Sequence, residues 1–308
     1  MKVSIIGGGG RVGSDAAFAL QLGGIVREIA LMDMNQETAA GEALDLRHGS
    51  AFTSSQVITS GDYSVVDGSD CVVITAGLRR RPDESRLELV NRNVALFKGI
   101  LSSLKGCKLN DGATVLVVSN PVDLLTELTV QSGIVPRHSA LGLGTVLDTC
   151  RFRSLLADHF KVGARDLNAL ILGEHGDSMV PILSSACVGG VPIASIPGYT
   201  PEAVQEVFEF TKKSGAEVIR LKGGAGRAVG VAIKEVVESI ALDREAILPV
   251  SSHQTGKLGI FDISISLPSK VGRRGVHEVL EPAVDPKERE LLIKSAEILT
   301  KAYAELPA

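Results

Sequence analysis

Apolar residues follow two different rhythms along this chain. In the first half four short runs are almost continuously apolar: KVSIIG (2–7), EIALMD (28–33), CVVITAG (71–77) and TVLVVSNP (114–121), each ending in Gly, Asp or Asn-Pro. A strand apolar on both faces is buried on both faces, which is the condition inside a parallel sheet covered by helices. Between the runs, SDAAFALQLG and ESRLELVNRNVALFKGILSSL space their apolar residues as a helix with one buried stripe requires. The β-α-β-α order predicts an α/β fold built on a doubly wound parallel sheet.

The second half is less regular. It predicts a helix over 148–160, a strand at LNALILG, a hairpin at CVGGVPIASI, helices over 201–221 and 226–242, and a strand pair in GIFDISISLPSKVG. A terminal helix in DPKERELLIKSAEILTKAYAEL starts from an Asp cap and an early Pro, and sets Leu291, Leu292, Ile298, Leu299 and Tyr303 along one side. With 308 residues the chain suits two domains, expected at 1–144 and 145–308, the second an α+β unit.

Composition narrows the function. A net charge of −4, with 44% hydrophobic and 22% charged residues, gives no polybasic surface for nucleic acid or an anionic membrane and points to a small-molecule ligand. No segment reaches the ~18 apolar residues of a membrane span, and MKVSIIGGGG is too short for a signal-peptide core, so the expected location is the cytoplasm. The four cysteines lie far apart without a CxxC pair, which predicts reduced thiols and no metal site.

One loop carries a specific signal. IIGGGGRVGS follows a strand and opens a helix, and contains Gly8-x-Gly10-x-x-Gly13. Glycines at that spacing permit a tight turn, close approach of backbone to a pyrophosphate and close helix packing, with the helix N-terminus facing the phosphates. Asp33 ends the second strand twenty residues after Gly13, where a carboxylate can accept the ribose hydroxyls of NAD and would repel the extra phosphate of NADP. The ligand predicted is NAD.

In open α/β sheets ligands bind beyond the carboxyl ends of the strands. Three such ends are polar: GLRRRPDESR (77–86), SNPVD (119–123) and GEHGDS (173–178), and LDTCRF adds Asp148 and Arg151 one helical turn apart. Hydride transfer between a 2-hydroxy acid and a nicotinamide needs a group to exchange the hydroxyl proton, a cation for the substrate carboxylate, and a donor to polarise the carbonyl. His175 suits the proton, since imidazole titrates near neutrality and a buried carboxylate fixes its tautomer.

Taken together these segments resemble the lactate/malate dehydrogenase family over essentially the whole chain. The resemblance implies a Rossmann-type dinucleotide domain followed by a catalytic domain. It implies His175 as the catalytic His, Asp148 as its partner, Arg151 as the two-pronged grip on the substrate carboxylate, and Asn120 as a contact to substrate and cofactor. GLRRRPDESR resembles the mobile lid, with Arg86 swinging in to polarise the carbonyl. The expected cofactor contacts are Gly8, Gly10, Arg11, Val12, Gly13, Asp33, Thr75, Ala76, Gly77, Asn93, Val118 and Asn120.

Within that family the lid residue two before the Pro separates substrates, typically Gln in lactate enzymes and Arg in malate enzymes. Pro82 makes it Arg80, a cation for the second carboxylate of a small dicarboxylate. The reading this implies is a malate dehydrogenase, interconverting malate and oxaloacetate in the tricarboxylic acid cycle, with lactate dehydrogenase or another 2-hydroxy acid dehydrogenase of the family as the alternative and a non-catalytic dinucleotide-binding sensor as a distant one. ESRLELVNRNV, by contrast, looks more like the lactate branch, and Asp83 stands where the malate pattern has Gly. A homotetramer or homodimer is the expected assembly.

Overall fold

The computed structural model describes residues 1–78, 81 and 83–307, with Arg86 described by its backbone alone. The N-terminal half runs β1 (Lys2–Ile6), α1 (Arg11–Gly23), β2 (Glu28–Met32), α2 (Gln36–His48), β3 (Val57–Gly61), β4 (Cys71–Ile74), α3 (Arg86–Leu104), β5 (Thr114–Val117), α4 (Val122–Ser132) and β6 (Ala140–Gly142). The C-terminal half runs α5 (Val146–Phe160), β7 (Leu167–Leu172), β8 (Val180–Val188), β9 (Val191–Pro192), α6 (Pro201–Lys222), α7 (Arg227–Leu242), β10 (Ala246–Leu248), β11 (Ser251–Thr255), β12 (Phe261–Ser266), β13 (Ser269–Gly272), β14 (Gly275–Val279) and α8 (Pro286–Ala304).

The fold is a Rossmann-type sheet joined to an α/β C-terminal region. The largest sheet has the order β12-β11-β6-β5-β4-β1-β2-β3, parallel from β6 to β3. Its direction of winding reverses between β1 and β4, so the crevice beyond their carboxyl ends is where a ligand of such a sheet sits. Val3, Ile5, Ile29, Leu31, Val73, Ile74, Val115 and Val117 are fully buried, the double-sided burial that the continuous apolar runs imply.

In the N-terminal half two strands, β3 and β6, were not legible, and in the C-terminal half β10, β11 and β14 were not. Only Ile58 of β3 is well buried, because β3 lies at the sheet edge, and β6 is three residues long. The strand pair expected in GIFDISISLPSKVG is corrected. Its strands β12 and β13 belong to different sheets, β12 pairing with β11 and β13 with β10 and β14. Through β11 and β12 the C-terminal half extends the large sheet in antiparallel fashion.

The terminal helix α8 starts with a capping box, Asp285 and Glu288 each accepting the other's backbone N–H. Its buried face is centred on Leu292, Ser295, Ala296 and Leu299. Leu291 and Ile298, expected on that face, are 40% and 43% exposed, because the stripe follows the i, i+3, i+4, i+7 row that starts from Leu292. No helix among the described residues is long and apolar enough to cross a membrane.

Candidate active site

The glycine loop between β1 and α1 is shaped by close approach. A Cβ on Gly13 would lie 2.2 Å from the Gly7 carbonyl oxygen, and one on Gly8 2.8 Å from Leu31 Cβ, so neither position admits a larger residue without movement. Gly7 has φ +89°, the left-handed region that glycine occupies without strain. Asp33 sits beside this loop, its Oδ2 accepting the Gly9 N–H at 3.0 Å and its Oδ1 the Asn35 N–H at 3.0 Å. Thr75 and Ala76, directly after β4, press against Gly7, and the Thr75 hydroxyl donates to Ile6 O at 3.1 Å. Asn93 is buried, and its Oδ1 accepts the Leu78 N–H at 2.8 Å.

Beyond the sheet a cavity of about 350 Å³ opens, walled by residues of both halves, among them Val12, Val118, Asn120, Asp148, Arg151 and His175. The geometry brings most of the expected constellation together. His175 Nδ1 and Asp148 Oδ2 are 2.5 Å apart, and Asp148 Oδ1 accepts from Arg151 Nη1 at 3.0 Å. Asp148 is 1% exposed in its side chain, whereas His175 and Arg151 keep 24% and 19% toward the cavity. Asp148 and Arg151 lie one turn apart on α5, while His175 follows β7, which packs on that helix.

The electrostatics follow from burial and pairing. Burial alone would depress the His175 imidazole, but the Asp148 charge and hydrogen bond, with a contribution from Asp123, outweigh both burial and the opposing Arg151 and raise its pKa above the ordinary value. For Asp148, burial pushes the pKa up, yet His175 and Arg151 hold it below the usual carboxylate range.

Three contributions lie outside the sequence reading. Asp123, 2% exposed on α4, accepts the His175 backbone N–H at 2.8 Å. Burial pushes its carboxyl up to about 6, only partly offset by the Ser251 hydroxyl and the His175 N–H, while Glu174 adds to the rise. Helix α6 supplies Lys212, Gly215 and Ile219 to the wall, and Ala225 and Val229 follow it there. Asp123 was visible as part of SNPVD, but nothing in the spacing showed it facing His175.

Arg80 and Pro82, which carried the malate reading, lie outside the described residues, as does the Arg86 side chain. The backbone of Arg86 opens α3, behind the Ser85 cap whose hydroxyl accepts the Glu88 N–H at 3.2 Å. Arg11, an expected cofactor contact, extends its side chain to the end of α6, its Nη1 donating to Lys222 O at 3.2 Å and to Gly224 O at 2.9 Å. The described residues contain no group of three or more His, Cys, Asp or Glu able to hold a metal ion.

A dinucleotide loop joined at one cleft to a carboxylate-held imidazole and an arginine defines a dinucleotide-dependent dehydrogenase class. Comparison with known proteins makes this specific. Residues 1–142 match the model of the lactate/malate dehydrogenase NAD-binding domain, and residues 145–307 that of the α/β C-terminal domain; the chain belongs to this family, and its cofactor is NAD.

Similar curated proteins include L-lactate dehydrogenase 1 of Clostridium acetobutylicum, 41% identical over 98% of this chain and 97% of that protein. The L-lactate dehydrogenase of Thermoanaerobacter sp. strain X514 is also 41% identical, over 99% of both. The crystal structure of the minor L-lactate dehydrogenase of Enterococcus mundtii in ligand-bound form superposes with a TM-score of 0.95, at 34% identity, covering 99% of this chain and 98% of that one.

These findings correct the malate reading, and with it the dicarboxylate substrate and the place in the tricarboxylic acid cycle. One lid residue favoured malate, whereas full-length likeness in sequence and structure favours the lactate branch.

Proposed function

We propose that this chain is an NAD-dependent L-lactate dehydrogenase, interconverting L-lactate and pyruvate. The observation that carries the reading is the His175 ring. It is tied through Nδ1 to a buried carboxylate, has no partner at Nε2 among the described residues, and lines a cavity shared with Arg151 and Asn120. The glycine loop, closed to any Cβ at Gly8 and Gly13, and Asp33 beside it fit the dinucleotide.

NAD supplies the nicotinamide that accepts or returns the hydride, and every other part of the chemistry falls to side chains. In pyruvate reduction the His175 imidazolium gives the Nε2 proton to the carbonyl oxygen; in lactate oxidation the neutral ring takes it back from the hydroxyl. Asp148 fixes the tautomer and stabilises the charged ring. Arg151, with one nitrogen engaged by Asp148, presents its remaining N–H groups to the substrate carboxylate. Asn120 contributes an amide donor, and Arg86, carried in by the lid, polarises the carbonyl.

Val12, Leu147, Ile219, Ala225 and Val229 give the cavity an apolar wall suited to a methyl group, and the Lys212 ammonium lies over the Phe208 ring, 5.5 Å from its centre. The two units divide near residue 144 in this reading. Assembly into a homotetramer or homodimer belongs to the same proposal, supported by exposed Phe18 and Leu22 on α1, Leu44 on α2 and Val231 on α7. So does a cytoplasmic location.

The test is NADH oxidation with pyruvate, oxaloacetate and 2-oxoglutarate in parallel. Pyruvate is expected to give the highest kcat/KM; a clear preference for oxaloacetate overturns the assignment.

A further inference from the structure

Helix α6 walls the cavity with Gly215 and Ile219, and it ends in a left-handed Gly223 cap whose N–H donates to Ile219 O at 2.8 Å. The last carbonyls of a helix lack partners within it. The turn that follows, Gly223-Gly224-Ala225-Gly226, has three glycines, two of them at φ +77° and +143°. Glycine loses more backbone freedom on ordering than any other residue, so contacts beyond that one cap bond add to the order of the turn.

Arg11 supplies such contacts. Its Nη1 donates to Lys222 O and Gly224 O, the arrangement by which a cation at a helix C-terminus satisfies free carbonyls and complements the helix dipole. The turn is moulded around the first turn of α1. A Cβ on Gly224 would lie 2.8 Å from Arg11 Nη1, and a Cβ on Gly226 2.9 Å from Arg11 Cγ and 2.0 Å from Asp15 Oδ2. Arg11 directly follows Gly10, in the loop where the cofactor phosphates seat. Ile219 and Ala225, on the far side of the tether, face the cavity that holds His175.

We propose that Arg11 is a positioning residue for the 2-oxo acid, tethering the end of α6 to the dinucleotide loop so that the cofactor seat and the substrate wall move as one body. The inference rests on the lactate dehydrogenase reading for its substrate and on the hydrogen bonds for its geometry. It assigns Arg11 an effect on substrate capture that a phosphate contact would not have.

Three measurements on the full-length protein test it: NADH affinity by fluorescence, pyruvate kinetics at saturating NADH, and hydrogen exchange over residues 216–226. Arg11→Ala is expected to speed exchange in that segment, raise KM for pyruvate about tenfold, equivalent to 1.4 kcal/mol, and change NADH affinity by less than about twofold. Gly224→Ala, which keeps the charge but both strains the turn at φ +143° and displaces the guanidinium, is expected to raise KM at least as much, and Arg11→Lys to recover part of the Arg11→Ala loss.

A variant that weakens NADH binding while leaving exchange and pyruvate KM unchanged would show Arg11 to be a phosphate ligand and overturn the proposal. Unchanged behaviour on all three would do the same. Should the wild-type protein fail to reduce pyruvate, the functional reading falls, while the exchange comparison still decides whether the tether exists.

Discussion

Two of the carboxylate–imidazole pairs among the described residues have a buried carboxylate, and only in one of them does that carboxylate also bind an arginine. In the cleft, Asp148 holds His175 through Nδ1. On the far part of the sheet, Glu127 of α4 holds His253 of β11 through Nδ1 at 2.9 Å. The difference lies in what surrounds each ring. His253 is 3% exposed in its side chain against 24% for His175, and its Nε2 is buried without a hydrogen-bond partner, 3.8 Å from the Asp262 carboxylate. Glu127 is also bonded by Ser264 at 2.8 Å and Gln131 at 2.7 Å. A carboxylate-held imidazole is thus a buried cross-link in one place and, in the proposed reaction, the proton-exchanging group in the other. Access, and an arginine bonded to the same carboxylate, separate the two cases.

Substitution at the two histidines tests this contrast most strongly. His175→Asn keeps a hydrogen-bond donor but cannot exchange a proton near neutral pH, so turnover should fall by ~10²-fold or more with NADH binding retained. Comparable turnover in the variant and the wild type would remove His175 from the chemistry.

Asp33 probes the cofactor side of the cleft with a smaller effect. Asp33→Ser removes a carboxylate that opposes the 2′-phosphate, and the ratio of NADPH to NADH efficiency should rise by about tenfold, the scale of one exposed charge contact. Because Asp33 also accepts the Gly9 N–H, some loss of NADH affinity should accompany the change. An unchanged ratio would place the ribose elsewhere.

The smallest effect on activity belongs to His253. His253→Ala should leave kcat with pyruvate within about twofold while costing about 1–3 kcal/mol in denaturant-induced unfolding, since the buried Glu127 carboxylate loses one of its donors. A loss of turnover as large as that of the His175 variant would erase the distinction between the pairs.

What the sequence disclosed follows from burial. Strands β1, β2, β4 and β5 were legible because both faces are covered, so their apolar runs are unbroken. The edge strand β3 and the brief β6 carry no such mark. In the site, Asp148, Arg151 and His175 were readable from local motifs, and their meeting needed the packing of α5 on β7. Gly215 and Ile219 look like ordinary members of an amphipathic helix, and Asp123 like a turn residue after a Pro. Only tertiary placement turns them toward the cleft. The choice between lactate and malate hung on Arg80, a single lid position, and full-length likeness to L-lactate dehydrogenases overrode it.

The central claim, that the Asp148-held imidazole exchanges the substrate proton, has a direct test in the pH dependence of kcat/KM for pyruvate. Reduction requires protonated His175, whose pKa the Asp148 and Asp123 charges raise above its ordinary value of 6.5 against the pull of burial. Efficiency should therefore persist through pH 6.5 and fall as pH rises through the elevated value. In Asp148→Asn burial remains but the main opposing charge is gone, so the inflection should move to lower pH and efficiency at neutral pH should drop by ~10-fold or more. An inflection that stays in place, or moves upward, would contradict the account.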